Sequence, residues 1–492
     1  MHYINKLMSF FLVALLMVVV ACAPSPASDG AEGSSSHDPV AAQAQSASRP
    51  LPPASEDVVL PASFAYLGAF RLPGGEERPL TFAYGGNAMT FNPDGDTSGA
   101  ADGFPGSLFV MGHNRIAYGE VSDGNQIAEV TIPQPLISSD LEKLNTAVFL
   151  QDFQNVFAGF FSELEEIPRI GMAYLDHSLG GPKIHFAWGQ HLQTPEHPSH
   201  GWFNADLHSP QLQGIWFLGQ RDPYSTTGYM FTIPAEWVDA HTGGRYLASG
   251  RMRDGGMGGM GPAMFAYTPW LVDGSPPPNG AFLEELPLLL YENAYTSNEI
   301  VRSMDGYQHP DEWEGGAFIT APSGRQAVLF AGTKSVGEKY WYGYMHPDGA
   351  QYVCVDDHAE DYEDMCRHAD GSSCGSQDLV GCCDEAAGTC VSSRGWWSNR
   401  FSAQLILYDP AHLALVASGQ LEPWQPQPYA VIEIDEHLYL NPPEWDRVDL
   451  GWGAQRRFRI GDVSYDPNSG LLYVLELYAD GAKPVVHVWS VE

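Results

Sequence analysis

Short apolar and aromatic runs, separated by turn-forming residues, recur along the chain from residue 58 to its end. Such runs, bounded by Gly, Pro, Asn and Asp, are typical of β-strands. Helical patterns are scarce, and only residues 138–150 and 410–417 favour helices. The pattern therefore predicts an all-β domain over residues 58–492. Its clearest strands are residues 107–111, 184–188, 229–233, 327–331, 404–408 and 471–475.

A weak internal repeat links the two ends of this domain. Residues 89–93 and 463–467 both read apolar, hydroxyl, aromatic, Asn or Asp, and Pro. After a turn, residues 106–110 and 470–474 both read Gly-x-Leu-aromatic-Val, and residues 172–174 begin a fainter copy. A strand, a turn and a second strand form the inner hairpin of a propeller blade. The alternative is that unrelated β-hairpins resemble one another.

These observations predict a β-propeller of about six or seven blades, with five also possible. The estimate assumes blades of ~40–50 residues with long loops between them. A propeller ring closes when a strand from one terminus completes the sheet formed by the other terminus. We therefore expect residues 64–70 to pair beside residues 485–489.

The first residues predict an exported lipoprotein. Residues 7–21 form an apolar run that is shorter than the ~20 residues a membrane span needs. Residues 19–22 match a lipobox, which makes residues 1–21 a signal peptide and Cys22 the lipidation site. The alternatives are an ordinary secretory signal cut after Ala23 and a retained transmembrane helix.

Residues 22–57 predict a lipid-anchored, flexible tether. They are rich in Ala, Ser and Pro and show no apolar period. As a random coil the tether would span about 30–35 Å. No acidic residue directly follows Cys22, which favours the outer membrane or cell surface of a Gram-negative host. Contact with the membrane is expected through the lipid anchor alone.

Six of the seven cysteines cluster in a predicted insert at residues 353–397. An even, clustered set in an exported chain predicts a disulfide framework, whose pairing the sequence leaves open. The alternative is a zinc cluster, which the lack of any C-x-x-C pair disfavours. The six residues are Cys354, Cys366, Cys374, Cys382, Cys383 and Cys390.

The charge balance is strongly acidic, with 60 Asp and Glu against 24 Lys and Arg and a formal net charge of −36. A surface of this charge repels nucleic acid and anionic lipid. We therefore expect no nucleic-acid partner. The alternative interpretation is a solvated acidic exterior, as salt-adapted proteins have.

Five stretches of the chain are distinctive, namely residues 66–73, 199–202, 250–255, 261–262 with 265–266, and 480–489. Together they resemble an uncharacterised family of exported bacterial propeller-like proteins. The resemblance covers most of residues 58–492 and implies the propeller fold, but it implies no activity.

Three segments combine aromatic, charged or glycine-rich residues. The number of residues between successive segments is close to the assumed length of one blade. Because loops of successive blades converge at one end of a propeller, we expect these segments to form a ligand-binding mouth. Paired arginines suit carboxylates, and carboxylates beside Trp313 suit glycoside chemistry. The alternatives are surface ion pairs, loop residues and chance spacing. The candidate residues are His200, Trp202, Arg251, Arg253, Asp254, Glu312 and Glu314.

Asn92, Asp94 and Asp96 have the alternating oxygen pattern of a calcium loop. Thr97 and Gly103 stand where an EF-hand needs Gly and Glu, so only an irregular Ca²⁺ turn remains as a prediction. The Gly-rich stretch at residues 256–261 lacks the following helix that a dinucleotide site requires. Ca²⁺ is therefore the one cofactor that the sequence suggests.

Two functional hypotheses follow. The first is a ligand-binding propeller for a saccharide or a protein partner. The second is an extracytoplasmic polysaccharide hydrolase or lyase that uses carboxylate and histidine acid–base chemistry. No complete catalytic signature is present, which favours the binding hypothesis and leaves enzymatic activity open.

Overall fold

A computed structural model describes most of the chain between residues 50 and 492. The described residues are 50–75, 77–99, 103–112, 126–157, 160, 169–189, 197–251, 257–293, 302–308, 311–340, 397–440 and 460–492, with the backbone alone of 115–116, 119–120, 337–340 and 397–400. The signal peptide, most of the tether and all seven cysteines lie outside them. No helix within these segments is long and apolar enough to span a membrane.

The strands form five main sheets, of which four have four antiparallel strands and one has a fifth strand added in parallel. In chain order the strands are β1 (Phe64–Arg71), β2 (Met89–Asn92), β3 (Ser107–Met111), β4 (Arg115–Ile116), β5 (Gly119–Glu120), β6 (Gln126–Thr131), β7 (Phe149–Asn155), β8 (Arg169–His177), β9 (Gly181–Gly189), β10 (His200–Asn204), β11 (Gln213–Leu218), β12 (Tyr229–Thr232), β13 (Leu247–Gly250), β14 (Met264–Tyr267), β15 (Phe282–Leu283), β16 (Glu285–Leu289), β17 (Glu312–Thr320), β18 (Gln326–Tyr340), β19 (Trp397–Tyr408), β20 (Ala430–Glu433), β21 (Ile460–Asp466), β22 (Leu471–Asp480) and β23 (Lys483–Val491).

Each sheet is one blade. Blade 1 has the order β2-β3-β6-β7, and blade 2 has β8-β9-β10-β11 with β15 added in parallel. Blade 3 is β12-β13-β14-β16, and blade 4 is β17-β18-β19-β20. Blade 5 is β21-β22-β23-β1, and β4 pairs with β5 in a separate ribbon.

The first strands of the five blades form a closed ring. β2 contacts β8, β8 contacts β12, β12 contacts β17, β17 contacts β21, and β21 returns to β2. This cyclic order makes the domain a five-bladed β-propeller. The expectation of six or seven blades is wrong, and the stated possibility of five is correct. The assumed blade length was too short, because the connections outside the predicted insert are also long, such as residues 290–311 between β16 and β17 and residues 434–459 between β20 and β21.

The predicted ring closure is confirmed. β1 pairs antiparallel with β23, in a register that places Phe64 opposite Val491 and Phe70 opposite Val486. The two ends of the domain therefore share one sheet, so the ring is held by hydrogen bonds between its first and last strands.

The repeat marks inner hairpins, as predicted, in blades 1, 2 and 5. Its hydroxyl position has a structural role. The Thr90 hydroxyl oxygen accepts a hydrogen bond from the Tyr174 backbone N–H at 2.7 Å. The Ser464 hydroxyl oxygen accepts one from the Phe91 backbone N–H at 2.8 Å. In each case the hydroxyl of one blade binds the aromatic residue's backbone in the next blade.

Apolar layers fill the five gaps between neighbouring blades. Strand β22 of blade 5 contributes side chains to two of these layers. Leu472 and Val474 pack toward blade 4, whereas Tyr473 and Leu475 pack toward blade 1. Strands buried on both faces carry continuous apolar runs rather than alternating ones. This explains the unbroken runs that the sequence shows.

The structure contains two α-helices within the described residues, α1 (Ala235–His241) and α2 (Pro410–Ala417). The predicted helix at residues 410–417 is confirmed. Its first turn is capped by the Asp409 carboxylate, which accepts the Ala411 backbone N–H at 2.8 Å. The predicted helix at residues 138–150 is wrong, because only a 3-10 turn at Leu141–Lys143 forms before the chain enters β7.

Glycines allow the inner strands to approach one another closely. A Cβ added at Gly315 would lie 2.6 Å from the Val463 backbone nitrogen in the next blade. A Cβ at Gly171 would collide with the Tyr229 backbone. These contacts are between backbones, so no side-chain rotation could relieve them.

Gly315→Ala is expected to lower the free energy of unfolding by about 1–3 kcal/mol, because overpacking forces two inner strands apart. Thermal and denaturant unfolding would measure the loss. Gly75→Ala is the matched control, since a Cβ there meets no described heavy atom within 4 Å apart from its chain neighbours. Equal stability of the two variants would contradict close packing at the axis.

Candidate functional site

The centre of the propeller is nearly filled. An axial cavity of about 60 Å³ lies among the inner strands, with three residues from each blade around it. This volume holds a few water molecules at most. The axis therefore has no room for a saccharide. The lining residues are Met89, Thr90, Phe91, Met172, Ala173, Tyr174, Met230, Phe231, Thr232, Gly316, Ala317, Phe318, Val463, Ser464 and Tyr465.

A buried charged cluster lies at the end where the inner strands begin. Arg169 on β8 donates to the Glu314 carboxylate on β17 at 3.0 Å, although β12 separates these two strands in the ring. Asp462 on β21 accepts the Met89 backbone N–H at 2.8 Å. Burial raises the pKa of Asp462 well above its ordinary value, and the nearby Glu314 adds to this shift. The cluster joins non-adjacent blades.

The residues predicted to form a mouth occupy this same end by topology. His200 begins β10, Arg251 follows β13, and Glu312 begins β17. Antiparallel pairing places His200 opposite Ala187 near the end of β9. Arg253 and Asp254 lie outside the described residues, so their predicted role stays a prediction.

His200 is fully buried rather than displayed on a rim. Its Nδ1 and Nε2 lie 2.9 Å from the Ser199 hydroxyl and 3.1 Å from the Ser249 hydroxyl. Burial lowers the pKa of His200 to about 3, so the imidazole is neutral at physiological pH. Trp202, two residues along, is half-buried and lies under the Lys183 ammonium group, 5.1 Å from the ring centre.

Arg251 and the two glutamates are also buried. The Arg251 guanidinium donates to the carbonyl oxygens of Gly258 and Gly261 at 2.6 and 2.7 Å. It thus holds the glycine-rich loop in place. Glu312 and Glu314 are each about 1% exposed, and Glu314 is paired with Arg169. In this structure these side chains bind other parts of the protein.

The side chains of the predicted calcium turn make hydrogen bonds within the protein. The Asn92 side chain donates to Glu129 at 3.0 Å and accepts the Asp94 backbone N–H at 3.1 Å. Asp96 accepts the Ser98 hydroxyl at 2.7 Å. Across the described segments, no group of three or more His, Cys, Asp or Glu side chains could hold a metal ion. The Ca²⁺ assignment stays a prediction.

A cleft of about 650 Å³ lies beside the ring closure, and its described lining residues include none of the predicted mouth residues. Three chain segments build it: β1 of blade 5, the β6–β7 connection of blade 1, and the segment between β20 and β21. Its volume falls in the range of small-molecule sites. The lining residues are Tyr66, Ile137, Ser138, Ser139, Glu436, His437, Leu438 and Tyr439.

Hydrogen bonds tie the walls of this cleft together. Ala69 on β1 exchanges two backbone hydrogen bonds with Leu136, each 3.0 Å long. The Tyr439 hydroxyl donates to the Ser138 carbonyl oxygen at 2.7 Å. The His437 ring stacks on Tyr66 with 4.0 Å between centroids and keeps about a quarter of its surface exposed. The cleft is therefore a built feature with an aromatic wall.

A buried polar relay lies behind Tyr66. The Tyr66 hydroxyl lies 2.9 Å from His487 Nδ1, and His487 Nε2 lies 2.8 Å from Glu476 Oε2. His487 and Glu476 are at most 1% exposed. Backbone N–H groups of Tyr439 and Leu440 also donate to the Glu476 carboxylate, at 3.0 and 2.8 Å. This acceptor pattern is that of an ionised carboxylate.

The hydrogen-bond pattern assigns the protons of the relay. Because Glu476 only accepts, His487 carries its proton on Nε2 and presents Nδ1 as an acceptor to the Tyr66 hydroxyl. Burial raises the pKa of Tyr66, and Tyr439 and Glu476 add to the effect. Tyr66 is therefore a neutral phenol. Burial lowers the pKa of His437, against an opposing contribution from Glu436.

The sequence interpretation missed this cleft and relay. A signal was present, since His487 and Glu476 are polar residues inside otherwise apolar runs of two adjacent strands. A polar side chain at such a position is buried and needs a partner. Finding the partner requires the register between β22 and β23.

Fold and site together define the class of this protein as a five-bladed β-propeller with a peripheral cleft. No protein-family model matches the chain, and no relative is found among curated proteins. The resemblance to exported bacterial propellers therefore remains an expectation.

The buried histidines predict a loss of stability in acid. Burial holds the pKa of His200 at about 3, whereas an unfolded histidine has a pKa near 6.5. The unfolded state therefore takes up a proton that the folded state refuses as pH falls below about 6.5. At pH 5 this costs about 2 kcal/mol.

Unfolding of the wild type and His200→Gln at pH 7 and pH 5 tests this. The stability difference between them should change by about 2 kcal/mol in favour of the variant at pH 5. Taking the difference removes opposing contributions from buried acids such as Asp462. His208→Gln, at an exposed histidine, should follow the wild type. Parallel curves for all three proteins would show that His200 is protonated in the folded state.

Proposed function

We propose that this protein is an exported, lipid-anchored β-propeller that binds a neutral saccharide in the cleft beside its ring closure. The observation that carries the proposal is the cleft itself, with about 650 Å³ of space, an aromatic wall and side-chain hydrogen-bonding groups. Sugars bind in such clefts through aromatic faces and a few fixed polar groups.

The charge of the cleft favours a neutral ligand over an acidic one. Glu436 contributes a carboxylate with about 80% of its side chain exposed, and the part of the lining that the structure describes contains no lysine or arginine. The net charge of the chain is also strongly negative. An acidic saccharide would meet repulsion from both, whereas a neutral sugar would find acceptors for its hydroxyl groups.

The cleft offers more to a ligand than the described part of the mouth does. At the mouth, Arg251 binds backbone carbonyls, His200 binds two serines, and Glu314 binds Arg169. A ligand there would have to break these contacts. At the cleft, His437, Glu436 and Ile137 are already partly or largely exposed.

Retention on immobilised neutral oligosaccharides of the xylo-, cello- and manno-series tests the proposal. His437→Ala should weaken retention at least tenfold, because it removes the stacked ring from the cleft wall, and should change the melting temperature little. His208→Ala, at an exposed histidine remote in sequence, is the control and should bind normally. Loss of retention with Trp202→Ala, while His437→Ala still binds, would place the ligand on blade 2 and contradict this assignment.

The lipid anchor is tested in cells. Cys22→Ser should abolish incorporation of labelled fatty acid and release the chain from the membrane fraction, because the serine hydroxyl cannot replace the lipobox thiol. Ser28→Ala, within the predicted tether, should leave anchoring unchanged. A Cys22→Ser protein that stays membrane-bound would show that another element anchors the chain.

A further inference from the structure

We propose that Tyr66, His487 and Glu476 make the cleft an esterase site, in which Tyr66 is the general base that activates water against an O-acyl ester of a neutral saccharide. The inference rests on the proposed function, since it adds a reaction to the same cleft. Tyr66 lines the cleft, and the other two residues lie behind it.

The geometry defines a path for one proton. The Tyr66 hydroxyl donates to His487 Nδ1 at 2.9 Å, which leaves lone pairs of the Tyr66 oxygen as acceptors for a proton from water. As that proton arrives, the phenol's own proton moves to His487. Glu476, 2.8 Å from Nε2, stabilises the imidazolium that results. The raised pKa of Tyr66 fits this path, because no free phenolate has to form.

The burial of the relay supports a chemical role for it. His487 is 0% and Glu476 1% exposed, and both lie among apolar strands. A histidine held between a carboxylate and a hydroxyl is the arrangement that activates a hydroxyl or a water molecule. Tyr66 connects that buried pair to the cleft.

The side chains that line the cleft favour cleavage of an ester over cleavage of a glycosidic bond. Hydrolysis of a glycosidic bond ordinarily uses two carboxyl groups placed on either side of the bond. Among the described residues that line the cleft, Glu436 supplies the single carboxylate. Ester hydrolysis needs one base to deprotonate water, and the relay supplies a base of this kind.

The reaction balances with water as the co-reactant. Water loses a proton to the Tyr66 oxygen, the Tyr66 proton passes to His487 Nδ1, and the new hydroxide forms a C–O bond at the ester carbonyl. The tetrahedral intermediate then breaks the bond to the sugar oxygen. That oxygen takes a proton back from His487 through Tyr66. The products are a carboxylic acid and the free sugar hydroxyl, and the relay returns to its initial state.

The test measures acid release from acetylated, butyrylated and feruloylated xylo-, cello- and manno-oligosaccharides by the purified full chain. Tyr66→Phe deletes one hydroxyl and should lower kcat by about 10²–10⁴-fold, with KM changed little. Tyr429→Phe is the matched control, since Tyr429 is another half-buried tyrosine that donates to a backbone carbonyl, that of Val59 at 2.6 Å. It should retain full activity.

A kinetic measurement separates a chemical role of the relay from support of the fold. His487 is surrounded by Tyr66 on β1, Glu476 on β22, and His437 and Tyr439 on the segment between β20 and β21. Glu476 is a positioning residue. Glu476→Gln should lower kcat with KM changed little, because the imidazolium that forms during the reaction loses its counter-charge. A purely structural role would lower the melting temperature without this separation of kcat from KM.

The outcomes are distinct. Retention of the deacylated oligosaccharides without acid release from any ester would overturn the esterase and leave the binding proposal standing. Absence of both retention and release would overturn both proposals. Release of new reducing ends would show that the site cleaves glycosidic bonds instead. Unchanged kcat in Tyr66→Phe would remove Tyr66 from the reaction.

Discussion

The close approach of five inner strands around one axis is the constraint on which the rest of this structure depends. Backbones of neighbouring blades meet where Gly171 and Gly315 carry no side chain. Hydroxyls of Thr90 and Ser464 then replace water as partners for the backbone N–H groups of the next blade. A backbone group buried without a partner would cost about as much as a lost hydrogen bond. In this propeller the inner strands meet this condition around a nearly filled axis.

A filled axis leaves space for a ligand only at the periphery of the propeller. The axial cavity of about 60 Å³ cannot hold an organic ligand, and the Arg169–Glu314 ion pair occupies the end where the inner strands begin. The larger space appears at the ring closure, where β1 arrives from the other end of the domain. Because Tyr66 belongs to β1, the strand that closes the ring also contributes the wall of the cleft. The pairing of β1 with β23 therefore both closes the ring and forms one wall of the cleft.

The strands and their closing pair could be predicted from the sequence, whereas the number of blades could not. Strands buried on both faces appear as continuous apolar runs, and the pairing of β1 with β23 followed from the logic of ring closure. Blade number did not follow, because the strand pattern does not fix the lengths of connections such as residues 290–311 and 434–459. The cleft was the least predictable part. His200 and Arg251 have the side chains of functional residues, yet the structure uses them to hold strands and a loop.

The relay residues could not be predicted from the sequence for a different physical reason, because their contact depends on strand register. Tyr66 pairs with Trp489 and Ala69 pairs with His487, with a bulge between the two pairs. This register brings His487 to Tyr66. No local pattern contains that information. Burying a carboxylate and an imidazole carries a desolvation cost that well-packed apolar residues avoid. Apolar packing is enough to hold β1 against β23, and Phe70 and Val486 hold the two strands together in this way. A polar relay at the same seam, opening on a cleft, is therefore better explained by chemistry than by stability.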